Sequence, residues 1–273
     1  MSTAQSAEHA ARRAQDSAPL RTLARVGYAA SGVLHLIIGF LAVQLATGDS
    51  SGSASESGAL QQLSEAPGGA VALWVAAIGL GALALWHIVE ALLGVPGSES
   101  AKQTAARVKA AGKGVLYAVL AFLAGRYASG GSGSGGGEAQ EGFTAQILQL
   151  PGGQLIVGAI GLVIIGVGVF HVVKGWRKKF LEDLRTSGPG AVGKAVVRLG
   201  QVGYIAKGIA LGVLGGLFVL AGVQSDADKA GGLEDALKTI QDQPFGAVLL
   251  ILTGVGIAAY GVYSFARARY AKL

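Results

Sequence analysis

Six long apolar stretches limit what this chain can fold into more than any motif in it does. They run over about Val26–Ala46, Ala70–Leu93, Ala110–Tyr127, Gln154–Val173, Val202–Val223 and Phe245–Ala266. At about 1.5 Å rise per residue, each is long enough to cross a hydrocarbon core of roughly 30 Å as a helix. The third has the shortest uncharged centre, because Lys113 and Arg126 fall near its ends. Long basic side chains reach the membrane interface from such places. The first run is too long for the apolar core of a signal peptide, and no clear small-x-small site follows it, so it reads as an uncleaved span.

Composition agrees: 51% of the residues are hydrophobic and 14% charged, against about 25% charged in soluble domains. The chain has no cysteine, which excludes disulfides, thiolate metal sites and cysteine nucleophiles. Many of its 45 glycines lie inside the apolar runs, where small residues let helix backbones approach.

The net charge of +6 is distributed as a topology signal. The connections after the first, third and fifth runs are acidic: Asp49, Glu56 and Glu65, then Glu138 and Glu141, then Asp226, Asp228, Glu234, Asp235 and Asp242 against Lys229 and Lys238. The other connections and both tails are basic, with Arg12, Arg13, Arg21, Arg25, Lys102, Arg107, Lys109, Lys174, Arg177, Lys178, Lys179, Arg185, Lys194, Arg198, Arg267, Arg269 and Lys272. The positive-inside rule then predicts a multi-pass plasma-membrane protein with both termini in the cytoplasm. The basic–aromatic interleaving of nucleic-acid binders is missing, so no nucleic-acid partner is expected.

The chain also repeats itself. Pro67, Pro151 and Pro244 open the even-numbered runs, and Gly69, Gly153 and Gly246 follow two residues on. Nineteen residues beyond each proline stand Trp86, Phe170 and Tyr263, then His87, His171 and Ser264; three further on are Glu90, Lys174 and Arg267. Short amphipathic stretches precede the prolines: 59–63, 144–148 and 233–240. The odd-numbered runs align on Gly32, Gly114 and Gly208, preceded by Ser31, Lys113 and Lys207, and Gly27-Tyr28 matches Gly203-Tyr204. The expected fold is an all-α integral membrane protein: six transmembrane helices as three tandem parallel two-helix repeats in a pseudo-threefold arrangement. The divisions are a polar tail (1–22), repeats at 23–94, 95–175 and 198–267, a basic loop (176–197) and a C-terminal tail (268–273).

The Gly27-Tyr28…Gly32, proline–glycine and aromatic–His features resemble an actinobacterial family of six-span membrane proteins, built from three tandem two-helix repeats and catalogued as a domain of unknown function. The resemblance covers nearly all of the chain after residue 22. It implies the architecture and no activity.

Candidate chemistry is confined to one intramembrane polar set: His35, His87, Glu90, Lys113, His171 and Lys207. His87 and His171 share a repeat position, and two histidines on facing helices are the ligands of a b-type haem; the alternative is hydrogen bonding across helices. Glu90 is an acid inside an apolar run. It reads as an ion pair with Lys113 or Lys207, or as part of a proton or ion path. No metal site is expected, since only Glu90 stands at ligand spacing from a histidine. The glycine run 130–137 lacks the Lys-Ser/Thr ending of a phosphate loop and reads as a linker. Gly208, Gly212 and Gly216 read as a packing face whose equivalents, Phe40 and Phe122, would close any central channel. Trp176–Leu181 reads as a basic–aromatic segment lying on anionic lipid headgroups.

No catalytic constellation emerges. The expected function is a non-enzymatic helical scaffold or accessory subunit that binds membrane lipid or a membrane-protein partner, without a cofactor. The rivals are a small transporter or channel with a polar cytoplasmic vestibule and a b-type haem electron carrier.

Overall fold

The computed structural model describes residues 17–48, 52–93, 100–131 and 136–272. Arg12, Arg13, Asp49 and half of the glycine run (132–135) lie outside them. The described residues form nine α-helices: α1 (Ala18–Ala46), α2 (Glu56–Glu65), α3 (Gly69–Leu93), α4 (Ser100–Ala128), α5 (Gly136–Leu148), α6 (Gly153–Trp176), α7 (Gly190–Gln224), α8 (Leu233–Gln241) and α9 (Gly246–Tyr270). Six of them, α1, α3, α4, α6, α7 and α9, are long and apolar enough to span a membrane.

The amphipathic stretches before the prolines are the short helices α2, α5 and α8, each tied to the span that follows by one device. The amides of Gly69, Gly153 and Gly246 bond the carbonyls of Ala66, Leu150 and Gln243 at 2.8, 2.9 and 2.7 Å. The proline stands second in each of these turns, and the third residue is left-handed: Gly68 at φ 75°, Gly152 at φ 76° and Phe245 at φ 60°. Positive φ at that position, after proline, is the type II pattern. The glycine that starts each span is required for a second reason, because a Cβ on it would collide with a carbonyl of the preceding short helix. α5 touches both α2 and α8, so the three cap one end of the bundle. The opposite end carries the basic loop and the C-terminus, and is called the basic end below.

The strongest packing joins one repeat to the next: α3 with α4, α6 with α7, and α9 with α1. Each joint is built at the same place. A Cβ at Gly114, Gly208 or Gly32 would stand 3.5, 2.6 or 2.9 Å from the carbonyl oxygen of Ala84, Gly168 or Gly261, all at one repeat position. Backbones this close replace side-chain interdigitation with direct van der Waals contact, which drives helix association in lipid. Along α7 the face in use is Gly208, Gly215 and Gly222, against Gly168, Gly161 and Gly158. That corrects the expected face: nothing lies within 4 Å of a Cβ on Gly212 or Gly216. Phe40 and Phe122 are likewise exposed on the outside of the bundle and close no channel. A strict four-residue spacing drifts around a 3.6-residue helix, whereas seven residues is close to two full turns.

Within repeats, α1 packs on α3 and α7 on α9, but α4 and α6 make almost no direct contact. The sequence explains the difference. A Cβ at Gly79 would stand 2.7 Å from the backbone nitrogen of Gly27, and one at Gly203 would stand 2.6 Å from that of Tyr260. The second repeat has Lys109 in place of Gly27 and Gly203, and Val163 in place of Gly79 and Gly256. A lysine and a valine hold the helices apart where glycines let them touch. The ring of six spans is therefore broken by a seam, and the two helices beside it are the least buried spans.

Candidate functional site: a buried cationic cluster beside the seam

All three repeats send polar side chains toward the basic end of the bundle. From α9, Arg267 stacks 4.2 Å over the ring of Tyr28 on α1 and donates to the Tyr260 hydroxyl at 3.4 Å. It is 6% exposed, its Nε has no hydrogen-bond partner, and no carboxylate pairs with it among the described residues. Lys207 on α7 lies 2.8 Å from His35 Nε2 and 4.7 Å over the ring of Tyr260; the His35 Nδ1 is turned to its own helix, 2.7 Å from the Ser31 carbonyl. His87 stacks on Tyr117 of α4 at 5.7 Å and His171 on Tyr204 of α7 at 5.6 Å. The two histidines thus occupy matching places in different repeat joints. Neither a hydrogen bond nor a ring contact links them among the described residues.

Among the described residues Glu90 pairs with no lysine. Its carboxylate lies 2.8 Å from His87 Nδ1, because a residue three positions back on the same helix is its nearest neighbour in space. Lys207 is committed to His35, and Lys113 has no ion-pair partner among the described residues. The buried His87 Nε2 is left without a partner.

The basic loop supplies what sequence reasoning missed. A 3-10 turn, Lys179–Asp183, folds back under the bundle. Phe180 is fully buried against Tyr204 and Tyr263, and a Cβ on Gly200 would meet its ring. It is therefore core, not a lipid-facing aromatic; Trp176 is the exposed one. Asp183 accepts a hydrogen bond from Lys174. Burial works against its charge, but Lys174 and Arg267 outweigh burial and hold its carboxyl below the usual carboxylate range. The turn is latched to the C-terminus by the Arg185 amide on the Tyr270 carbonyl at 2.8 Å and the Lys272 amide on the Asp183 carbonyl at 3.0 Å. Lys113, Lys174 and Arg267 interact electrostatically with one another and with Asp183. With Lys207 added, four cations share this end of the bundle with the carboxylates of Asp183 and Glu90.

These features define a class: a multi-pass membrane protein of three tandem helical hairpins with a cationic cluster inside one end. The chain belongs to the family described as Domain of Unknown Function (DUF1206), whose model matches residues 26–94, 108–178 and 202–271, one segment per hairpin. It is also similar to the uncharacterized protein YxxB of Bacillus subtilis (strain 168), 28% identical over 263 residues, covering 94% of this chain and 93% of that one. No solved structure matches.

Proposed function

We propose that this chain is a non-enzymatic membrane scaffold or accessory subunit, holding a membrane lipid in the seam of its second repeat. It sits in the plasma membrane with the basic end in the cytoplasm, the orientation that the loop charges support. One observation carries the reading: two of three equivalent hairpins are closed by glycine contacts, and the third is propped open along apolar helices. Lipid tails fill such a gap without loss, since they are as apolar as the side chains they meet. A bound occupant fits better than a transported one, because the three short helices lie over one end of the bundle and the Phe180 turn packs under α7 and α9 at the other.

A photoreactive residue at Val163, at the repeat position of Gly79, tests this directly. We expect a lipid adduct that survives exhaustive detergent washing, while the same residue at Leu252, exposed on α9, loses its lipid. Adducts at Val163 to protein alone, or a lipid washed away as readily as at Leu252, would defeat the reading.

A further inference from the structure

Where the seam reaches the basic end, its wall is charged. Gly27 and Gly203 face the second span of their own repeats; Lys109 holds their place and therefore faces α6. Its ammonium reaches across to stand 5.1 Å over the ring of Phe170. Lys113 is one turn further in. Its counterpart Lys207 is covered by Tyr260 and bonded to His35. The second repeat has Val167 in place of Tyr260, and the first span of the next repeat, which gives Lys207 its His35, has Leu211 at that position for Lys113, so Lys113 faces the same gap with neither partner. Behind it, Lys174 and Arg267 add positive charge, and the two carboxylates of the cluster, Asp183 and Glu90, do not balance its four cations. In the same cluster two buried atoms are unsatisfied, the Arg267 Nε donor and the His87 Nε2, on residues 6% and 4% exposed. A field of cations in a partly dry site calls for a counter-anion. The site is open sideways to lipid, at the end of an apolar groove.

From this we propose that the seam is a binding site for an anionic phospholipid, its phosphate seated on Lys109 and Lys113 and its acyl chains lying against Val163 and Val167. The proposal rests on the lipid-binding reading above and adds the chemistry of the headgroup. A neutral zwitterionic lipid brings its own cation to the lysines and loses this advantage, while each basic residue near an anionic headgroup contributes a several-fold preference.

The experiment is native mass spectrometry of the full chain in detergent, titrated with equal amounts of phosphatidylglycerol and phosphatidylcholine. Wild type should retain one phosphatidylglycerol with a preference on the order of tenfold. The double variant Lys109→Gln/Lys113→Gln should reduce this to within about twofold, and Lys109→Arg/Lys113→Arg should restore it, which separates charge from misfolding. Lys194→Gln/Arg198→Gln, at the exposed basic start of α7, should leave the preference intact. A preference that survives Lys109→Gln/Lys113→Gln, or that falls equally in the α7 variant, overturns the site. If Val163 retains lipid but the two headgroups bind alike, the anionic assignment fails and the scaffold reading stands. If Val163 retains none, the scaffold reading itself has failed.

Discussion

Glu90, on α3, shares its charge with His87 on its own helix, and this controls how the site answers to substitution. Its side chain is 31% exposed, so solvent screens part of what a charged hydrogen bond would contribute. Glu90→Gln should lower stability by about 1 kcal/mol, measured by denaturation in detergent. A double-mutant cycle with His87→Ala should show the larger coupling, and one with Lys113→Gln a smaller one, because Lys113 acts on Glu90 by charge alone and without a hydrogen bond. Coupling to Lys113 and none to His87 would reinstate the lysine pair expected from sequence. That expectation failed for a simple reason: repeat alignment gives the depth of a residue in the membrane, but not which neighbour its side chain turns to. The same limit hid the tyrosines Tyr28, Tyr117, Tyr204 and Tyr260, whose shared role comes from where their helices cross.

At the scale of elements, the hairpins, the short helices and the proline turns were legible because each depends on contiguous residues. The 3-10 turn was not. Lys178-Lys179-Phe180-Leu181 has the pattern of a membrane-surface segment, and only the hollow made by Gly200, Tyr204 and Tyr263 turns Phe180 inward. The turn carries a pH signature through Asp183, whose pKa is lowered in the fold. A depressed carboxylate stabilises the fold fully above its unfolded pKa of about 4, and that contribution is lost as the pH falls through the lower folded value. Thermal stability of the wild type should therefore fall as the pH drops from about 5 toward 3, while Asp183→Asn starts lower and varies less. Parallel profiles for the two proteins would show that Asp183 does not latch the turn.

For the whole molecule, the two ends differ in kind: one is capped by α2, α5 and α8, and the other carries the cations. The orientation proposed for them is testable because the chain has no cysteine. An impermeant maleimide applied to intact cells should label Asp242→Cys, at the capped end, and leave Lys178→Cys, on the basic loop, unlabelled until the membrane is opened. The reverse pattern would invert the protein in the bilayer.

The sequence by itself determined the six spans, their pairing into three equivalent hairpins and the turns between them. Hydrophobic length, repeat spacing and proline–glycine chemistry are written along the chain and need no partner to be read. Even the cause of the seam was on the page, as Lys109 and Val163 at positions that hold glycine in the other repeats. Its meaning was not, because a glycine is a contact only when another helix lies against it. The tertiary structure decided that Gly27 meets Gly79 and Gly203 meets Tyr260, that α4 and α6 stay apart, and that cations from the second and third repeats converge beside the gap. Those are facts about which helices are neighbours, and close packing between helices, rather than local sequence, sets them.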